Sequence, residues 1–324
     1  MSRPLFRSAA PALFACLAGC NMHQSTLAPF GRDAADIRGM TLLLVGGAVV
    51  IFLGVAALVV AAMRAPAGRL THDGGMRLVL WAGGIVPTVV LGALLVWTLP
   101  AMRPAPATPA DLRVALVGEQ FWWRVAYRPP NRPPVVSANE LRLPVGRTVV
   151  LELGAGDVIH SFWVPGLAGK MDMIPGRTNR LVVRADKAGR YRGVCAEFCG
   201  LSHALMAFDV VAMPPAAFDA WLAAEARPAA PVASAPGAAL FTANGCGGCH
   251  AVRGTAGTGS IGPDLTHFGA RATLAAGILP MTTANVARFV RDAGSVKPGA
   301  RMPAFRHLSP GDTQAIARYL ESLK

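Results

Sequence analysis

The sequence predicts a multidomain membrane protein with a transmembrane helical hairpin, an all-β domain and a C-terminal all-α domain. Two long stretches, residues 39–63 and 78–102, contain no charged side chain. After them, short segments rich in β-branched and aromatic residues alternate with Gly and Pro turns, which is typical of strands. The last part of the chain has helical periodicity. Apolar residues make up 53% and charged residues 15% of the 324 residues, which is too hydrophobic for an ordinary soluble protein.

The two uncharged stretches are expected to form a transmembrane hairpin over residues 36–103. Each exceeds the roughly 20 apolar residues that cross a bilayer. Their connection carries Arg64, Arg69 and Arg77 against Asp73 alone. The positive-inside rule therefore places this connection in the cytoplasm and both ends of the hairpin outside. Neither stretch contains a His, Asp, Glu, Lys or Arg, so the chain can neither bind a haem within the membrane nor relay protons across it.

A signal-like segment, residues 1–20, precedes the hairpin. Arg3 and Arg7 come before a short apolar run, which ends in LAGC at residues 17–20. The pattern resembles a bacterial lipoprotein signal, in which Cys20 becomes the lipidated residue after cleavage. The alternatives are an ordinary secretory signal and an uncleaved basic tail, and in either of them Cys20 has no such role.

The region after the hairpin, residues 104–226, is predicted to be all-β with one helix at its end. The candidate strands are FWWRVAY, ELRLPVGRTVVLEL, TNRLVVRA and MAFDVVAM, at residues 121–127, 140–153, 178–185 and 206–213. Residues 214–226 begin with two prolines and predict a helix.

A Pro/Ala-rich linker, residues 227–237, marks the boundary to the C-terminal domain, residues 238–324. The final helix of that domain is predicted to begin after Ser309 as N-cap, with Pro310 at the first helical position.

The C-terminal domain contains the motif CGGCH. Cys246 and Cys249 have the spacing that forms thioethers to the vinyl groups of haem, and His250 is then delivered to the iron. Met302, further along the chain, is the candidate for a second axial ligand. A thioredoxin-like redox pair and half of a zinc site are the alternatives, but no βαβ pattern precedes the motif and no second ligand pair follows it.

This domain resembles the class I cytochromes c. The resemblance implies one covalent haem c. It also implies that Pro263, in the segment IGPDL, supports the axial histidine through its carbonyl group.

A second metal motif lies in the stretch VCAEFCGLSHALM. Cys195 and Cys199 could form a disulfide in the periplasm, or bind zinc together with two histidines. A disulfide leaves His203 and Met206 without a reason to lie beside the pair, and zinc has little use for a thioether. Soft thiolate and thioether ligands with imidazole on a β scaffold favour copper. His160, on a candidate strand, is the available second imidazole.

With both motifs in view, nearly the whole chain after residue 36 resembles subunit II of the haem-copper cytochrome c oxidases, with a cytochrome c fused at the C-terminus. The resemblance implies a cupredoxin-like Greek-key domain that holds a dinuclear copper A centre. The implied ligands are two bridging thiolates, one terminal imidazole for each metal, a weak thioether and a main-chain carbonyl: Cys195 and Cys199, His160 and His203, Met206, and Glu197.

The resemblance also implies partners. The chain would be an electron-input subunit that passes electrons to haem in a catalytic subunit I, which reduces oxygen to water with proton translocation, and a subunit III is expected beside it. Lys170, Asp172 and Glu197 would face the catalytic subunit, where Glu197 helps to bind a magnesium ion. The copper and haem domains would lie on the periplasmic side of a bacterial plasma membrane. A nitric oxide reductase and a stand-alone membrane-tethered electron carrier are the alternatives.

Three consecutive aromatic residues are candidates for electron entry. The family usually begins this run with a tryptophan, and Phe121 takes its place here, followed by Trp122 and Trp123. We interpret the change as an altered docking route, because the donor haem is covalently attached. The alternative is that all three are packing residues on a strand.

The charge distribution indicates the kind of donor. The chain has a formal net charge of +13, and residues 237–324 carry nine Lys and Arg against four Asp and Glu. A basic haem domain suits an acidic donor, such as a cytochrome of a quinol-oxidising complex. No basic-aromatic array indicates nucleic acid binding.

Overall fold

The computed structural model describes residues 21–66, 68–69, 71–103, 106–109, 111–229 and 235–324. The predicted signal and its lipidation residue Cys20 lie outside these residues. The chain separates into two compact units. One joins the N-terminal segment up to Ile37 to Ala107–Lys324, and the other is Arg38–Pro106.

Two apolar helices correspond to the predicted hairpin. Helix α1 is Arg32–Arg64 and helix α2 is His72–Thr98, and both are long and apolar enough to cross a bilayer, with mean hydropathies of 2.9 and 2.2. No part of either apolar window is buried. A π-helical segment, Val79–Ile85, lies within α2. The regular α-helical hydrogen bonding is interrupted there because Pro87 cannot donate a hydrogen bond to the carbonyl of Gly83.

The segment before α1 lies on the β domain. The ring of Phe30, which is buried, stacks on Tyr191 at a centroid distance of 3.5 Å. The N–H groups of Phe30 and Gly31 both donate to the carbonyl of Gly166. A Cβ on Gly31 would lie 2.3 Å from the carbonyl oxygen of Leu167, so only glycine allows this approach. The chain just before the first helix is thus fixed to the domain that follows the second.

The β domain is a sandwich of two five-stranded sheets. Its strands are β1 Leu112–Glu119, β2 Trp122–Arg128, β3 Val135–Ala138, β4 Glu140–Pro144, β5 Thr148–Ala155, β6 His160–Trp163, β7 Met171–Met173, β8 Asn179–Arg184, β9 Gly189–Cys195 and β10 Ala207–Met213. One sheet has the order β3-β2-β1-β5-β8 and the other β4-β10-β9-β6-β7. All four candidate strand segments of the sequence form strands.

Side chains from both sheets meet in one core. On β2, Trp123 and Tyr127 are fully buried, whereas Trp122 on the opposite face is partly exposed. Trp123 packs on Phe162 of β6 and Phe208 of β10, with centroid distances of 6.4 and 4.8 Å. Because successive residues of a strand face opposite sides of the sheet, Trp122 points away from this core and can make contacts outside the sandwich.

The C-terminal domain is mainly helical, as predicted. The helices after the sandwich are α3 Pro215–Glu225, α4 Ala235–Ala243, α5 Thr283–Arg291, α6 Ala293–Val296 and α7 Pro310–Ser322, and a hairpin joins β11 Thr273–Leu274 to β12 Leu279–Pro280. Helix α3 matches the helix predicted at residues 214–226. Ser309 caps α7 in a capping box with Asp312. The core of the C-terminal domain is a hydrophobic cluster separate from that of the sandwich.

The predicted linker, residues 227–237, is partly structured. Helix α4 begins at Ala235, so the last residues of the predicted linker are helical. At its other end, the N–H of Ala229 donates to the carbonyl of Arg253 at 3.0 Å. Residues 230–234 lie outside the described part of the chain.

Candidate metal centres

Sheet pairing brings the cysteines and histidines of the β domain together. Strand β9 ends at Cys195 and β10 begins at Ala207, and the two strands pair, so the residues between them form a closed loop. The N–H of Cys195 donates to the carbonyl of Met206 across the mouth of this loop. His160 begins β6, which pairs with β9 so that Phe162 lies opposite Cys195. His160 therefore lies beside the loop, although 35 residues separate it from Cys195.

The side-chain ligand atoms predicted from the sequence converge. Sγ of Cys195 lies 3.9 Å from Sγ of Cys199 and 3.8 Å from Nδ1 of His160. Sγ of Cys199 lies 3.7 Å from Nδ1 of His203 and 3.9 Å from Sδ of Met206. Each thiol thus has one imidazole beside it, and one of them also has the thioether.

This donor set fits copper. The carbonyl oxygen of Glu197 adds a sixth donor, 3.2 Å from Sγ of Cys195. The neighbouring thiol of Cys199 lowers the pKa of Cys195, and Cys195 in turn raises the pKa of Cys199. One thiolate therefore forms easily, whereas the second needs a bound cation to compensate its charge. Thiolate, thioether and imidazole donors together suit copper better than zinc.

A carboxylate fixes the other nitrogen of His160. Nε2 of His160 lies 2.9 Å from Oδ1 of Asp157, and this oxygen also accepts a hydrogen bond from the N–H of Val158 at 2.8 Å. The other oxygen, Oδ2, accepts one from the N–H of Gln120 at 2.8 Å. Burial raises the pKa of Asp157, but these hydrogen bonds outweigh it and hold the pKa below its usual value. A Cβ on Gly118 would lie 2.8 Å from the imidazole ring, so β1 also fixes its position. The ring is held with Nδ1 toward the thiols.

A cavity of about 420 Å³ contains the second motif and is lined mainly by the C-terminal domain, with residues 119–122 of the β domain on one side. Its lining includes both motif cysteines, the motif histidine and the predicted axial methionine: Cys246, Cys249, His250 and Met302. Met281 packs against the core of the domain and, among the described residues, does not belong to the lining. The volume is in the range of cofactor pockets.

The residues of this cavity fit a haem. Nδ1 of His250 lies 2.8 Å from the carbonyl oxygen of Pro263. Burial lowers the pKa of His250, and the hydrogen bond to Pro263 offsets this only in part, so the ring is neutral, which is the form that binds iron. A Cβ on Gly262 would lie 2.5 Å from the ring. Arg271 is buried beside the cavity, and its Nε has no partner among the described residues, which a haem propionate would supply.

The three aromatic candidates lie in different places. The loop between β9 and β10, residues 196–206, is called the copper loop below. Phe121 is 5% exposed, and its ring lies between Gly200 of this loop and Gly299 of the C-terminal domain. Phe121 and Trp122 line the haem cavity. Trp123 lies in the core of the sandwich, as the alternative interpretation of these aromatics as packing residues expects.

The three residues expected at a subunit interface form one charged patch. Nζ of Lys170 lies 3.5 Å from Oδ1 of Asp172 and 3.7 Å from Oε2 of Glu197. Their side chains are about half exposed. The patch lies next to the copper loop, since Glu197 belongs to that loop.

Sequence reasoning missed the contact surface between the β domain and the C-terminal domain. Lys297 is 3% exposed, and its Nζ donates to the carbonyls of Phe121 and Ala275. Burial lowers the pKa of Lys297 to about 7, although the nearby Cys199 raises it. Gln120 lines the haem cavity, and its Nε2 donates to the carbonyl of Cys199 at 2.6 Å. No local sequence pattern signals these contacts, because each joins segments that are far apart in the chain.

Comparisons with known proteins identify the family of the chain. The family model described as cytochrome c oxidase subunit II, periplasmic domain, matches residues 133–213, and that of cytochrome c matches residues 234–324. Proteins called cytochrome c oxidase subunit 2 from Alkalihalophilus pseudofirmus, a Bacillus species and Bacillus subtilis are 37%, 34% and 32% identical to this chain. These alignments cover 79%, 78% and 74% of this chain and 75%, 76% and 70% of the relatives. Because they span most of both proteins, the chain belongs to the cytochrome c oxidase subunit 2 family and carries a C-terminal cytochrome c domain.

Proposed function

We propose that this chain is the electron-input subunit of a membrane-bound terminal oxidase. It takes electrons from a donor at a covalent haem c and passes them, by way of a dinuclear copper A centre, to haem in a catalytic subunit. That subunit reduces oxygen to water with proton translocation. The observation that carries the proposal is the shared wall between the two sites: Gln120 lines the haem cavity and is hydrogen-bonded to the copper-loop residue Cys199.

The residues of the chain hold and orient the two redox groups. When bound, these groups supply reversible one-electron chemistry. In the β domain, Asp157 fixes the ring of His160, and the β9–β10 loop keeps the thiols of Cys195 and Cys199 side by side and away from water. In the C-terminal domain, the carbonyl of Pro263 orients His250. A site built on paired strands changes little in geometry, which favours electron transfer without large rearrangement.

The packing of the two domains supports entry at the haem. Phe121, which takes the place of the usual entry tryptophan, is covered by the C-terminal domain, and the carbonyl of Phe121 accepts a hydrogen bond from the buried Lys297. A soluble cytochrome therefore has no access to this residue. The donor must dock on the haem domain, whose excess of basic residues suits an acidic partner.

The membrane arrangement rests on the charges of the connection between the two helices. Because this connection carries Arg64, Arg69 and Arg77 against Asp73 alone, it lies in the cytoplasm, and both metal domains are on the periplasmic side. The charged patch of Lys170, Asp172 and Glu197 then faces the catalytic subunit, with a magnesium ion as the cation that Glu197 helps to bind. A subunit III completes the complex.

Metal analysis of the purified complex tests the proposal. We expect two coppers and one covalent haem per chain in this subunit, additional haem from the catalytic subunit, and oxygen consumption with an acidic cytochrome donor. Cys195→Ser should abolish the copper-thiolate absorption, whereas Leu201→Ala, at an 82% exposed position of the same loop, should leave it unchanged. One zinc in place of copper, a Cys195–Cys199 disulfide, or reduction of nitric oxide instead of oxygen would contradict the proposal.

A further inference from the structure

Asp157 connects the two metal sites through a single carboxylate. Its Oδ1 lies 2.9 Å from Nε2 of the copper-site residue His160. Its Oδ2 lies 2.9 Å from Nη2 of Arg301, which belongs to the C-terminal domain and directly precedes Met302. The carboxylate is only 10% exposed. One side chain of the β domain is therefore in contact with the copper-site imidazole and with the haem domain at the same time.

Three other contacts between the two domains end on main-chain carbonyls. Lys297 donates to the carbonyl of Phe121, Arg192 to that of Gly277, and the hydroxyl of Ser202 to that of Pro298. These contacts hold the domains together through main-chain atoms. The Arg301 contact instead ends on the carboxylate that orients a metal-ligating ring.

The charge on that carboxylate affects the metal site through the ring. A carboxylate that accepts the N–H of a ligating imidazole makes the ring a stronger donor, which stabilises the oxidised metal. A guanidinium on the far oxygen withdraws part of this charge and has the opposite effect. Docking of the haem domain then makes the copper centre easier to reduce.

We propose that Asp157 is a positioning residue that transmits docking of the haem domain to the copper ligand His160, with Arg301 as the haem-domain contact. The proposal rests on the copper A function proposed above. It assigns to this fused chain a coupling between domain contact and the reduction potential of the copper centre. When the haem domain is docked, the copper centre that accepts its electrons thus has a higher reduction potential.

The test is the midpoint potential of the copper centre in the intact, detergent-purified complex. Arg301→Gln should shift the reduction equilibrium of copper toward the oxidised form by ~5-fold, which corresponds to ~40 mV for a one-electron couple. Arg301→Lys should restore most of the shift. Arg192→Gln, which removes a contact between the domains that does not involve Asp157, should leave the potential unchanged.

A double variant separates this coupling from a general effect of charge. Asp157→Asn should raise the potential, and adding Arg301→Gln to it should then have no further effect, because the connecting carboxylate is absent. Equal shifts from Arg192→Gln and Arg301→Gln, or an unchanged potential in Arg301→Gln with copper fully bound, would overturn the inference. The proposed function would survive both results, since neither changes the metal content of the unmodified chain or the gas that its complex reduces.

Discussion

At the scale of single residues, two methionines of the C-terminal domain illustrate how position decides a role. Met302 lines the cavity that contains Cys246, Cys249 and His250. Met281 packs against the hydrophobic core of the domain instead. Both are thioethers downstream of the haem motif, so the residue type alone does not separate them.

Met302→Ala should therefore leave the haem covalently attached but lower its reduction potential, because the thioethers to haem do not involve this residue and the soft axial ligand is lost. The absorption band of the sulfur-to-iron bond should disappear. Met281→Ala should keep both the band and the potential. A haem spectrum that changes in Met281→Ala and not in Met302→Ala would reverse the assignment.

At the scale of elements, the start of α4 depends on a close helix crossing. A Cβ on Gly237 would lie 2.2 Å from the carbonyl oxygen of Ala315 and 2.7 Å from Cβ of Tyr319, both on α7. The sequence assigned Gly237 to a flexible linker, because Pro, Ala and Gly are frequent there. In the structure it is the residue that lets α4 approach α7.

Gly237→Ala should destabilise the C-terminal domain by ~1–3 kcal/mol, since the added methyl group meets main-chain atoms that cannot move aside easily. Ala239→Ser, at an exposed position of the same helix, is the matched control and should cost less than ~0.5 kcal/mol. Denaturant unfolding followed by the haem absorption measures both variants. Equal stability of the two would mean that the helices can separate without cost.

At the scale of the whole soluble unit, the haem domain is packed onto the copper domain and is not only tethered to it. The buried Lys297, the ring of Phe121 between two glycines and the ion pair of Arg301 with Asp157 make this contact specific. A linker by itself would only hold the haem domain near the copper domain at a high effective concentration. The structure adds a fixed interface that covers Phe121.

Removing residues 235–324 should leave the copper spectrum intact, because the sandwich has its own hydrophobic core. Oxygen consumption from the natural donor should fall by ~10-fold or more, which corresponds to at least ~1.4 kcal/mol in the limiting step. Phe121→Trp in the truncated protein should recover part of the activity with soluble cytochrome c, since truncation exposes this position. Near-normal turnover of the truncated, unmodified protein would show that the copper centre is loaded directly.

The sequence by itself determined the membrane helices, the strands, the final helix and the two metal motifs. These features depend on patterns that are local in the chain, such as uncharged length, strand alternation, a proline after an N-cap, and ligands with fixed spacing. Even His160 could be named, because it lies on a candidate strand that precedes the cysteine motif.

Only the tertiary structure decided how these parts meet. That Asp157 contacts Arg301, and that Lys297 is buried against Phe121, depends on residues that are 144 and 176 positions apart in the chain. Such contacts arise from the packing of two complete domains, whose surfaces are set by all their elements together. No pattern within a single segment records them.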